Sequence, residues 1–327
     1  YKQLNMPIFR RLSLLALIAV AATVAATAAD WAQPRVSVAI LRSTTSHAAE
    51  QVSQVMMGTP LQITERKGEW WRVETPEGYS GYVRSNTLVA ADDDRMTRWR
   101  KSRRAIVHSD RTEYITATPE ISGERVSDVV PGCILEVEGD AVGEMIPVRI
   151  PDGRSGFISP EVLMPLEEWA AQRFVPADMP LYAARMMGVP YVWGGTSVNG
   201  MDCSGLTQIA AYRQGVMIKR DADEQVADGI KINKSDYSLF LPGDLLFFGN
   251  TRTGRITHVA ISTGGPSYIH QSARVRRSSL DPDAADYENP GLIAVRRIDP
   301  ETAERLALRN HPVEFYIEYR HAQSRFP

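Results

Sequence analysis

Asp202-Cys203-Ser204-Gly205, led in by Pro190-Tyr191-Val192-Trp193-Gly194-Gly195, is the stretch that decides how this chain is read. The aromatic, glycine-rich lead-in suits a turn better than a regular element. After it, Leu206, Ile209, Ala210 and Tyr212 recur at helical spacing until Gly215 stops the pattern. That places Cys203 in the first turn of a helix with Asp202 at the N-cap. Unpaired N–H groups and the helix dipole favour an anion there, so the thiol is expected to ionise more easily. A small free cysteine filling a core gap fits the same pattern, and the motif alone leaves both readings open.

Two of the six histidines tip the balance. Ile256-Thr257-His258-Val259-Ala260-Ile261 and Ser267-Tyr268-Ile269-His270-Gln271 read as strands, joined by a hairpin turn at Thr263-Gly264-Gly265-Pro266. A three-residue loop centred on Gly264 pairs His258 directly opposite His270, on one face, with Cβ atoms ~5 Å apart. A two-residue loop puts them on opposite faces. If they share a face, one imidazole can deprotonate the thiol while the second orients the first, which is the logic of cysteine hydrolases.

The ordered set P-Y-V-W-G-G, D-C-S-G-L, L-P-G-D-L-L-F-F, I-T-H-V-A-I and Y-I-H-Q resembles the NlpC/p60 family of cysteine peptidases from about Met179 onward. The resemblance implies a papain-like α+β catalytic domain over residues 166–327. It puts the family's nucleophile on Cys203, its base on His258 and its orienting polar residue on His270. Tyr191 matches the family tyrosine near the nucleophile, which contributes to the oxyanion site or holds substrate. Family members cleave peptide stems of bacterial cell walls, commonly after γ-linked D-glutamate. The same catalytic fold also supports amidases and acyltransferases, and a non-catalytic wall-binding protein is the reading in which the cysteine is vestigial.

Upstream lies an internal repeat. Glu50–Val55 aligns with Glu124–Val129, Gly58–Ile63 with Gly132–Val137, and Thr75–Val83 with Ile150–Ile158. Each copy is a set of short alternating strands cut by Gly, Pro and Asp, the pattern of a small β-barrel. Both resemble bacterial SH3-type domains, at residues 30–91 and 104–165. The charged run at 92–103 reads as a solvated linker. Leu166, Trp169, Ala170 and Phe174 suggest a short helix packing domains together.

Copy one carries Tyr79 where copy two carries Arg154. In recycling-type γ-D-glutamyl-L-diamino acid endopeptidases, a sub-group of the family, the first SH3-like domain helps close the active site. There a glutamate, a tyrosine and an aspartate beside the nucleophile hold the free amine of an N-terminal L-alanine. Glu50, Tyr79 and Asp202 occupy similar positions, and an ammonium group needs such carboxylates and a hydroxyl or ring face. Where the family has Arg-Asp-Ser, this chain has Arg220-Asp221-Ala222. A hydroxyl contact to the D-glutamate carboxylate is then left to backbone amides, Ser204 or Arg220. Asp221 is a candidate for orienting Tyr191 or its loop, or a turn aspartate without a chemical role.

Length and composition agree with an exported modular enzyme of 327 residues. The formal net charge of −2 supplies no field for nucleic acid or anionic membranes. Residues 1–29 read as a cleaved signal peptide with upstream residues: Arg10 and Arg11, the apolar run from Leu12 to Val24, then Ala26-Thr27-Ala28-Ala29. The run is short for a membrane span and holds no cysteine, so no stable membrane anchor is expected and the mature protein is expected in the periplasm or outside the cell. Cys133 and Cys203 are the two cysteines, both expected as free thiols, Cys133 as a core filler. His47, His108, His311 and His321 lack cysteine partners at ligand spacing, and no phosphate-cradling loop is present, so neither metal nor cofactor is expected.

Overall fold

The computed structural model describes residues 30–308; the proposed signal peptide, His311 and His321 lie outside them. The first unit is a seven-stranded antiparallel sheet of β1 (Trp31–Pro34), β2 (Val38–Arg42), β3 (Gln51–Met56), β4 (Leu61–Lys67), β5 (Trp70–Glu74), β6 (Ser80–Arg84) and β7 (Leu88–Ala91). Its strand order is β3-β2-β6-β5-β4-β1-β7. Helix α1 (Asp93–Lys101) follows. The second unit contains β8 (Arg104–Val107), β9 (Glu113–Thr116), β10 (Arg125–Val129), β11 (Ile134–Val137), β12 (Ile146–Arg149), β13 (Ser155–Ile158) and β14 (Leu163–Pro165). Its order, β10-β9-β13-β12-β11-β8-β14, repeats the first strand for strand. Both are SH3-like.

The charged run at 92–103 is not a solvated linker. Asp92 caps α1 by accepting from the Arg95 N–H, and Asp93 and Asp94 sit in the first turn with Arg98, Arg100 and Lys101 in the last. That distribution complements the helix dipole. The buried face carries Met96 and Trp99, which join Trp31, Ile106, Leu166 and Trp169 in one cluster. The segment therefore seals the two barrels to the remainder of the chain. The charges hid this because only two residues in nine face inward.

The α+β unit starts with α2 (Leu166–Ala170), α3 (Met179–Arg185), a two-stranded ribbon of β15 (Thr196–Ser197) and β16 (Gly200–Met201), and α4 (Cys203–Tyr212). Next come α5 (Ala222–Gln225), then β17 (Ile230–Ile232), β18 (Leu245–Asn250), β19 (Arg255–Gly264), β20 (Ser267–Ser272), β21 (Arg274–Ser279), β22 (Leu292–Arg297) and α6 (Pro300–Leu306). The sheet order is β17-β22-β18-β19-β20-β21. Strand β18 is apolar on both faces because both are covered. Leu245 and Phe247 pack with Leu206, Val259 and Ile269 on the side of α3 and α4, and Leu246 and Phe248 with Tyr268 and Leu292 on the other. Asp244 is fully buried at its start, where it pairs with Arg297 and accepts from the Leu241 N–H.

Candidate active site

Asp202 is the N-cap of α4: its backbone is extended and Oδ1 accepts from the Gly205 N–H at 2.7 Å. Gly205 is needed there, since a Cβ would lie 2.1 Å from the Gly195 carbonyl oxygen. Cys203 thus occupies the first turn, where the sequence placed it. The backbone N–H groups of Val259 and Ser204 favour the ionised form of its thiol. Burial, reinforced by the Asp202 carboxylate, nonetheless pushes that thiol up to about 11. The direction is opposite to the one a helix N-terminus alone would give, because desolvation of a thiolate outweighs the dipole.

The histidine hairpin differs from both loop models. Gly264 pairs with Ser267, a two-residue loop, but Ser262 pairs with Tyr268, so Thr263 is an extra residue on β19. The bulge restores the parity that the short loop would have broken. His270 therefore lies opposite Ala260, and His258 sits two residues along on the same face instead of directly opposite. The rings meet edge to face, with His258 Nε2 2.8 Å from His270 Nδ1. A second bulge adjoins His258 on its other side: Phe248 pairs with His258 and Gly249 with Ile256. Burial pushes the His258 imidazole down to about 4, and burial with the neighbouring His258 ring lowers His270 as well. Nε2 of His258 being engaged, Nδ1 is the nitrogen left for a proton from sulfur. Sγ and the imidazole share no hydrogen bond in this structure; such catalytic bonds commonly tighten only when substrate is bound.

The remaining sequence candidates lie along one chain of contacts reaching from Cys203 into the first barrel. Both oxygens of Asp202 are engaged. Oδ1 also accepts from Ser204 Oγ at 3.2 Å and Arg220 Nη1 at 3.2 Å; Oδ2 accepts from the Gly194 N–H at 2.9 Å and Arg220 Nη2 at 2.5 Å. Arg220, 1% exposed, also donates to Ser204 Oγ and to Ser53 Oγ of β3. Asp221 does not orient Tyr191: its Oδ2 accepts from the Tyr79 hydroxyl at 3.2 Å. Glu50 Oε1 accepts from Trp193 Nε1 at 2.8 Å, while Gln51 Nε2 donates to the Trp193 carbonyl. Gly194 has φ +71° and lies against β3, where a Cβ would meet the Gln51 oxygen at 2.4 Å. The Tyr191 hydroxyl is pushed up to about 12 by burial and by the charges of Cys203 and Asp202. Ala222 opens α5.

Sequence reading missed the part played by Arg220 as the buried counter-ion of the N-cap, and it missed Arg276, Ser278 and Glu288, which surround His270. The first had a signal, a lone arginine beside a second acid. The others had none, because a strand arginine and serine gain meaning only from register. Among the described residues, no group of three or more His, Cys, Asp or Glu side chains converges as metal ligands would.

The profile of the NlpC/P60 family matches residues 188–297, and that of the bacterial SH3 domain residues 37–89. Over 246 residues the chain is 31% identical to dipeptidyl-peptidase 6 of Lysinibacillus sphaericus, spanning 71% of this chain and 85% of that protein. The chain belongs to the NlpC/P60 family. It is a cysteine peptidase. A gamma-D-glutamyl-L-lysine dipeptidyl-peptidase of Bacillus cereus is 27% identical over 259 residues, covering 71% of this chain and 70% of its own. The fold of an NlpC/P60 family protein from Bacillus cereus superposes with a TM-score of 0.69 over 82% of this chain and 99% of that one, at 20% identity.

Proposed function

We propose that this peptidase hydrolyses the γ-D-glutamyl-L-diamino acid bond of peptidoglycan stem peptides, acting on stems with a free N-terminal L-alanine during wall turnover or recycling. The observation that carries the reading is the continuous contact path from Cys203 through Asp202, Arg220 and Asp221 to Tyr79, which makes the first barrel a wall of the site. The named dipeptidyl-peptidases, matched over both barrel and catalytic regions, support it. In this mechanism His258 Nδ1 takes the thiol proton as Sγ attacks the γ-carbonyl carbon. Burial leaves thiol and imidazole separately neutral at pH 7, so attack and proton transfer run together. The Cys203 N–H and the Tyr191 hydroxyl face the developing oxyanion. His258 then protonates the leaving amine, and water, deprotonated by the same nitrogen, hydrolyses the thioester. Glu50 and Tyr79 receive the alanine ammonium. Asp202, neutralised by Arg220, contributes field and geometry more than an open carboxylate. An exported chain, as residues 1–29 lead one to expect, would meet such stems outside the cytoplasm.

The test incubates the protein with L-Ala-γ-D-Glu-diaminopimelate and its N-acetylated form, with Cys203→Ala as control, and reads L-Ala-D-Glu by mass spectrometry. Cleavage of the free-amine peptide alone, lost in Cys203→Ala, is the expected result. Cleavage of both peptides discards the amine site; cleavage of neither by folded protein discards the bond assignment.

A further inference from the structure

A hydrogen bond between two imidazoles is directional, and only one of its two directions leaves His258 able to act as a base. What decides the direction lies behind His270. Strands β19, β20 and β21 are adjacent and antiparallel. His270 is opposite Ala260 on one side and Arg276 on the other, so His258, His270 and Ser278 step across the three strands on one diagonal. His270 Nε2 lies 3.1 Å from Ser278 Oγ and 3.6 Å from Glu288 Oε2.

The hydroxyl of Ser278 has a single proton, and its neighbours constrain where it goes. Arg276 Nη1 donates to Ser278 Oγ at 2.7 Å, which occupies one lone pair. Two oxygens compete for the proton, the Arg277 carbonyl at 2.8 Å and Glu288 Oε2 at 3.1 Å, and neither can return one. Glu288 is held ionised by Arg276 Nη2 at 2.5 Å. The ionised Glu288 carboxylate is a stronger claimant than a neutral ring nitrogen. Ser278 therefore turns a lone pair towards His270, and Nε2 of His270 carries the hydrogen.

We propose that Ser278, oriented by Arg276 and Glu288, is a positioning residue that sets the tautomers of both histidines. His270 is protonated on Nε2, its bare Nδ1 accepts from His258 Nε2–H, and His258 presents a bare Nδ1 on the side of Cys203. With the opposite polarity His258 Nδ1 would already bear a proton and could not take the one on sulfur. The titratable and charged groups facing His270 are His258, Glu288, Arg276 and Tyr268, whose ring lies 5.0 Å away edge-on and whose hydroxyl donates to the Glu288 carbonyl. Glu288 favours the Nε2–H, while Arg276 and the apolar burial keep the ring from becoming a full cation.

The kinetic half of the test rests on the peptidase reading; the spectroscopic half does not. Long-range proton–nitrogen spectra of the full chain labelled with nitrogen-15 histidine report which ring nitrogens of His258 and His270 carry hydrogen. The expected result is hydrogen on Nε2 of both. Hydrogen on Nδ1 of His258 in the resting wild type overturns the proposal. Ser278→Ala is expected to mix the His270 tautomers. It should lower kcat on the tripeptide by roughly ten- to a hundredfold, a share of the ~10²–10⁴ a positioned base supplies, with KM within about twofold. Ser278→Thr, which keeps the hydroxyl, should restore most of kcat. A folded Ser278→Ala protein with wild-type spectra and kcat overturns the idea. Should that variant not fold, Glu288→Ala carries the test. It leaves the backbone carbonyl that Tyr268 uses, and a kcat and His270 tautomer identical to wild type would be equally fatal. If the wild type cleaves no stem peptide, the spectra still decide the tautomer question.

Discussion

The two barrels share one strand order, yet they stand in different relations to the catalytic unit. In the first, β3 and the loop before β6 press on the site: Ser53 meets Arg220, Gln54 Oε1 accepts from the Thr196 N–H, Tyr79 meets Asp221, and the Glu77 carbonyl accepts from Lys219 Nζ. In the second, Arg154 stands where Tyr79 stands in the first, and it turns back on its own barrel, to Asp152 and the Val126 carbonyl. That barrel reaches the catalytic unit elsewhere, through Asp110 with Arg185 and Arg213, and Thr112 with Asn199. Identical folds thus contribute unequally because the side chains that a strand and its loops present, not the strand order, determine what enters the site.

Breaking the anchor of each barrel should give the largest contrast. Arg220→Met leaves Asp202 buried and uncompensated, and is expected to cost about 3–5 kcal/mol in denaturant unfolding. Asp110→Asn removes a half-exposed partner from the buried Arg213, which keeps the Ser109 carbonyl, and should cost less, about 1–2 kcal/mol. Equal losses would mean the first barrel is not specially coupled to the N-cap.

The cysteines sharpen the same contrast. Cys133, wholly buried in the second barrel's core, has its thiol pushed up to about 12 by burial and donates to the Ser37 carbonyl. Cys203 has a base at hand. At pH 8, iodoacetamide should alkylate Cys203 at least about a hundredfold faster than Cys133, and His258→Ala should slow Cys203 by about tenfold or more. Rates for Cys203 that ignore His258 would remove the base from the mechanism.

The smallest expected effect comes from exchanging the residues that differ. Tyr79→Arg places a cation beside the proposed ammonium site and should lower kcat/KM for the free-amine tripeptide by about tenfold, or ~1.4 kcal/mol. Arg154→Tyr should leave it within about twofold. Parity between the two would show that the asymmetry of the barrels has no bearing on substrate.

Local pattern was enough for Cys203, Asp202 and α4, because an N-cap and a 3.6-residue period are properties of neighbours in sequence. It was also enough for the repeated barrels, whose turns are written in Gly, Pro and Asp. The histidine register was another matter. Two loop lengths gave opposite answers, and the chain uses the shorter loop with a compensating bulge at Thr263, whose position depends on pairing with β20. The acidic and basic run before β8 reads as solvated until Met96 and Trp99 find Trp31 and Trp169 to pack against.

What the sequence by itself determined is the set of chemical groups and the local elements that display them: a cysteine in the first turn of a capped helix, two strand histidines, and two barrels with one telling difference. What only the tertiary structure decided is which groups share a hydrogen. Arg220 becomes the partner of Asp202, Asp221 that of Tyr79, and Ser278 that of His270, all across separations that no periodicity spans. Helical and strand patterns follow from sterics within a few residues, whereas ion pairs and tautomers depend on distances of about 3 Å that exist only once the sheets and helices have closed on one another.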